Sequence, residues 1–184
     1  MTKYEENWCQ HFVTECYFDT VLAKSLLQTQ KRLIHKQGCS NVINELNSKR
    51  LREDFAVALI DKDKFELTYL KNCRVIYNEN KLLLWKHLER MHFVIQLNPP
   101  LEKWIIEVLY ENGLNIESFG YSVAYKKLKA QIKNDIDSEN DEKLNMLVNA
   151  IIKTDCASIK KMKSFLLYLK EKNYQTDINA LING

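Results

Sequence analysis

The segment DFAVALI, residues 54–60, constrains the fold more than any other part of the chain. From Phe55 to Ile60 every residue is apolar. A strand with one wet face alternates apolar and polar side chains, whereas an unbroken apolar run is covered on both faces, as in a parallel sheet. The run ends on Asp61-Lys62-Asp63. A strand buried on both sides therefore delivers two like charges to whatever lies beyond its carboxyl end.

The segments before it supply the rest of such a sheet. QHFVTE (10–15) reads as a short strand ending on Glu15. In YFDTVLAKSLLQTQ (17–30), Phe18, Val21, Leu22 and Leu26 recur at helical spacing. KRLIHK (31–36) reads as a second strand, and QGCSN as a turn with a helix start at Ser40 or Asn41. NVINELNSKRL (41–51) follows as a helix with Val42, Ile43 and Leu46 on one face. Strand, helix, strand, helix, strand is the order of an α/β sheet with right-handed crossovers.

Downstream, CRVIY (73–77) and KLLLWKHL (81–88) read either as two strands or as a strand and a helix. HFVIQL (92–97) is a strand that stops at Asn98-Pro99-Pro100, and prolines suit the first turn of the helix LEKWIIEVLYENG (101–113). Beyond residue 121 the pattern holds three amphipathic helices, 122–134, 141–153 and 158–172, and no strand, with NDIDSEND (134–141) as the clearest loop. The expected fold class is α/β: a Rossmann-like, mainly parallel sheet flanked by helices, over 1–115, with a C-terminal helical extension over 116–184 packed on it.

Composition narrows the function classes. With 46% hydrophobic and 28% charged residues in 184, the chain has a globular balance. Four glycines and two prolines are too few for a turn-rich all-β fold. No apolar run approaches the roughly 18 residues of a membrane span, and the start MTKYEENWCQ is polar and acidic where a signal peptide is basic and then apolar. A cytoplasmic protein without a membrane partner is expected. The five cysteines form no C-x-x-C pair, so they read as small, partly buried hydrophobes. A net charge of +3 does not by itself announce nucleic acid. The segments LNSKRLR (46–52), YKKLK (125–129) and IKKMKS (159–164) could follow phosphates or simply be solvated helix faces. No phosphate-binding G-x-x-x-x-G-K-[ST] loop and no nucleophile elbow occur.

In open α/β sheets ligands gather beyond the carboxyl ends of the strands. Glu15 ends the first strand there and Asp61 the third, with Asp63 two residues on. Converging carboxylates repel one another, and a hard, oxygen-seeking cation such as Mg²⁺ removes that cost. Turn chemistry is the alternative for D-K-D alone; the pairing with Glu15 is what raises it to a metal site.

These residues resemble the Toprim domain, the fold shared by topoisomerases, primases and nucleases of the overcoming-lysogenization-defect class. FVTECYFDTVLAKSLL resembles its first motif, with Glu15 as the family glutamate. ALIDKDK resembles its second, with Asp61 and Asp63 as the metal-binding pair, and HKQGCSNVINEL resembles the strand, turn and helix between them. HFVIQLNPPLEKWII is similar to a later strand-to-helix step, and the likeness covers roughly residues 8–112. Two features depart from the family pattern: Cys16 stands where glycine usually follows the glutamate, and Phe65-Glu66 stand where a further acid and glycine would. The resemblance implies a Mg²⁺-dependent phosphodiester-processing protein, a nuclease on DNA or RNA, with Mn²⁺ able to substitute. The small size of the chain and the absence of an ATPase loop lead to the further expectation of an ATPase or other protein partner that supplies energy or substrate selection. Glu15 would be ligand or general base, and Asp61 and Asp63 ligands. Asp19, Glu66, Glu102 and His35 are accessory candidates. Each has an ordinary alternative: a first-turn acid favoured by the helix dipole for Asp19 and Glu102, a solvated turn for Glu66, and a hydrogen-bonded structural ring for His35. Two further readings stand beside this one, a catalytically silent Toprim-like module that binds protein or nucleic acid, and a flavodoxin-like or receiver-like regulator.

Overall fold

The computed structural model describes residues 7–62, 67–133 and 141–184. Asp63 and Glu66, and most of the loop expected at 134–141, lie outside the described residues. The six strands are β1 (Phe12–Thr14), β2 (Ile34–His35), β3 (Ala56–Asp61), β4 (Cys73–Glu79), β5 (Leu82–His87) and β6 (His92–Leu97). The helices are α1 (Tyr17–Leu26), α2 (Cys39–Leu46), α3 (Leu101–Glu111), α4 (Tyr125–Lys133), α5 (Glu142–Lys153), α6 (Ala157–Lys172) and α7 (Ile178–Asn183). One sheet contains all six strands in the order β2-β1-β3-β6-β5-β4. The β2, β1, β3 and β6 strands run parallel, while β5 pairs antiparallel with β6, and β4 antiparallel with β5. The architecture is therefore α/β with a mainly parallel sheet, as the alternation of strand and helix implies.

The apolar run of β3 explains how the layers are assembled. Side chains alternate across a strand, so Val57 and Leu59 join the core on one face and Ala56, Ala58 and Ile60 join the core on the other. Helix α2 covers the second face through Val42 and Leu46, together with Tyr69 and Leu70 of the single-turn helix Thr68–Asn72. The first face carries α1 and α3, and the helices after residue 116 join the same apolar cluster through Leu128, Leu147, Met162 and Leu181. All six residues of β3 are buried. Because chain passes from β1 through α1 to β2 on one side, and through α2 to β3 on the other, the sheet has a topological switch point between β1 and β3.

Some boundaries differ from the sequence expectation. The first strand begins at Phe12, because Trp8–His11 form a 3₁₀ turn. The second is only two residues long. Helix α1 stops at Leu26, ahead of Gln28, whose φ of 50° is left-handed. Segments 73–77 and 81–88 are both strands. They form a hairpin whose two linking residues, Asn80 and Lys81, have φ values of 52° and 60°, the pair of positive angles a tight hairpin turn needs. No helix among the described residues is long and apolar enough to cross a membrane.

Candidate metal centre at the sheet switch point

The end of β1 is drawn towards β3 and the start of α2 by backbone bonds. Glu15 N–H donates to Leu59 O at 3.1 Å, which extends the parallel ladder one residue beyond β1. Lys36 N–H donates to Thr14 O at 2.9 Å, and Gly38 N–H to Glu15 O at 3.3 Å. Gly38 then caps α2 with φ 86°, a left-handed angle that costs glycine little and other residues more. This turn places Cys39, the first residue of α2, against the ends of β1 and β3.

Three side chains meet there. Glu15, Cys39 and Asp61 are each about one-twentieth exposed, and one potential ligand atom from each lies within 4.8 Å of the others. Asp61 N–H donates to Glu15 Oε2 at 3.0 Å. The Cys39 thiol donates to the same oxygen at 2.9 Å, and its sulfur stands 4.0 Å from Asp61 Oδ1. Two carboxylates and a thiol could hold a metal ion. Beside them opens a cleft of about 480 Å³ walled by Gly38, Lys62, Pro100, Tyr125 and Lys129. Lys62 and Lys129 are exposed at that cleft, so two cations flank the buried acids.

The other sequence candidates are placed differently. Asp19 is fully buried and closes a capping box at the start of α1: Cys16 N–H donates to Asp19 Oδ2 at 3.2 Å, and Asp19 N–H to Cys16 Sγ at 3.5 Å. Its position is the ordinary one for a first-turn acid. Cys16 itself is extended, with φ −136°, so the turn that presents Glu15 makes no demand for glycine. Glu102 is fully buried in the first turn of α3 and is not one of the three clustered ligands. His35 stacks on Tyr17 with ring centroids 4.2 Å apart and faces a neighbouring groove with Asn41 and Asn44. The structure thus brings Glu15 and Asp61 together and adds Cys39, which sequence reasoning passed over. Its one available signal was position: Cys39 falls in the turn between a strand and a helix, on the side of the sheet where the acids end.

No protein-family model, curated protein or solved structure matches the chain. Fold and site together define a mainly parallel α/β protein with a buried carboxylate–thiol group at its switch point that could hold a metal ion.

Proposed function

We propose that the chain is a divalent-metal-dependent, Toprim-like phosphodiester-processing protein, a nuclease that acts on DNA or RNA with a protein partner. The observation that supports it is the meeting of Glu15 and Asp61, from two strands, beside a cleft edged by Lys62 and Lys129. A carboxylate pair by itself calls for Mg²⁺, with Mn²⁺ as a substitute. A bound divalent cation supplies charge neutralisation at a phosphate and activates water. The residues of the chain do the remainder. Asp61, at the end of a buried strand, is the first ligand. Glu15 joins it or takes a proton as general base. Lys62 and Lys129 attract the phosphate backbone, and the amino end of α2 favours negative charge in the same cleft.

A second reading, the catalytically silent interaction module, is favoured by one observation. Glu15 Oε2 already accepts from both Asp61 N–H and the Cys39 thiol, so the glutamate ties β1, β3 and α2 together whether or not a metal binds.

Incubation of the purified protein with single- and double-stranded DNA and RNA, in Mg²⁺ or Mn²⁺, separates the readings. Cleavage is expected, lost in Asp61→Ala and reduced on the order of 10²-fold in Glu15→Ala, the scale for losing a positioned acid or base. Circular dichroism of each variant should match the parent. No cleavage in either metal, together with no metal uptake, supports the silent module.

A further inference from the structure

The donor set at the switch point does not match Mg²⁺. Mg²⁺ is hard, demands near-octahedral oxygen ligation and keeps several waters. Here one of three converging donors is sulfur, 2.9 Å from a carboxylate oxygen of Glu15 and 4.0 Å from one of Asp61. We propose that the Glu15–Cys39–Asp61 group is built for a thiophilic borderline cation of the Zn²⁺ or Co²⁺ kind, with Cys39 as a thiolate ligand. This rests on the metal-site reading above and changes the cation it takes.

Zn²⁺ accepts thiolate and carboxylate together, and catalytic zinc sites use three protein ligands with one position left open. The group offers three ligands, and the adjoining cleft offers the open side. Softness then discriminates: sulfur ligands select Zn²⁺ and its neighbours, while carboxylates and water suit Mg²⁺. On binding, the Cys39 S–H bond breaks, sulfur keeps the electron pair and bonds the cation, and the proton leaves to solvent. The thiol–Glu15 hydrogen bond is exchanged for two bonds to one metal. The bland alternative is a small buried cysteine that fills space, and it makes no demand on the identity of a cation.

Co²⁺ titration followed by absorption tests this without any need for activity. The intact protein should take up one Co²⁺ and develop a near-ultraviolet thiolate-to-cobalt charge-transfer band that excess Zn²⁺ abolishes and excess Mg²⁺ does not. Cys39→Ser, which keeps a small polar donor beside Glu15 and leaves the other four cysteines in place, should lose that band. It should also bind Zn²⁺ at least about tenfold more weakly, the lower end of losses from disturbing even a supporting group at a metal site. Cys39→Ala should behave the same way, which guards against a serine oxygen acting as a substitute ligand. Co²⁺ uptake with no charge-transfer band, or equal Zn²⁺ affinity in the parent and both variants, overturns the thiolate assignment and leaves the carboxylate metal site standing. No uptake of Co²⁺, Zn²⁺, Mn²⁺ or Mg²⁺ by the intact protein overturns both.

Discussion

Asp61 donates its backbone N–H to Glu15 Oε2 at 3.0 Å across 46 residues of sequence. The bond joins the last residue of β3 to the residue after β1, and it makes a single carboxylate both a support of the sheet end and a prospective ligand. The two roles predict different responses to two substitutions. Glu15→Ala removes the acceptor that the Asp61 N–H and the Cys39 thiol share, and losing a buried acceptor of this kind costs about 1–3 kcal/mol. Glu15→Gln keeps an acceptor oxygen in place and should lose much less stability, while still removing the charge that a cation needs. Urea denaturation of both variants, followed by metal titration, checks the separation.

A second hydrogen-bonded group lies on the opposite side of β3 from the large helical layer. His92 Nε2 is 2.8 Å from Leu51 O and its Nδ1 is 2.5 Å from the Tyr69 hydroxyl. A carbonyl only accepts, so Nε2 carries the proton and Nδ1 accepts from tyrosine: the ring is held neutral. In His87, Nδ1 accepts from Glu89 and Arg90 N–H, each at 3.2 Å. Burial lowers the pKa of both rings, and the nearby Arg90 cation adds to the effect. The unfolded chain therefore binds protons that the folded chain refuses. Stability should hold steady above the unfolded histidine value of about 6.5 and fall as the pH drops below it. Chemical denaturation from about pH 8 to about pH 5 measures the slope, and replacing both histidines by Gln should flatten it.

Tyr69→Phe isolates the bond within that group. Burial raises the tyrosine pKa, so its hydroxyl stays protonated and donates to His92. Without it, Nδ1 of a buried ring lacks this donor, at a cost of about 1–3 kcal/mol at neutral pH. Nuclear magnetic resonance titration should show His92 easier to protonate in the variant.

Lys129 stands on α4 and lines the same cleft as the buried acids. If nucleic acid occupies the cleft, Lys129→Ala should weaken binding similarly for all sequences and lower the slope of log affinity against log salt by about one. An unchanged slope would place the phosphates elsewhere.

Much of this architecture is written in the local pattern of the chain. Residues 55–60 imply a strand covered on both faces because no polar residue interrupts them, and the structure divides them between two apolar clusters. The hairpin was ambiguous because Leu82, Leu83 and Leu84 form a short apolar run that fits strand or helix, and because its turn uses Asn80-Lys81 in place of a glycine-bearing pair. Strands of two and three residues carry too little periodicity to fix their ends. The acids of the site were legible, since each follows an apolar strand. Cys39 was not, because its role depends on Gly38 turning the chain, and on the contact with a glutamate 24 positions away, neither of which a lone cysteine announces. Asp19 shows the converse: an accessory candidate closes a helix cap with Cys16.

The claim that Glu15 and Asp61 form a divalent-cation site is tested most directly by titration calorimetry with Mn²⁺. The intact protein should take up one ion per chain, and Asp61→Ala, shown by circular dichroism and thermal melting to remain folded, should take up none at that site. Equal Mn²⁺ uptake by the two proteins, or uptake of neither Mn²⁺ nor Zn²⁺ by the intact protein, would contradict it.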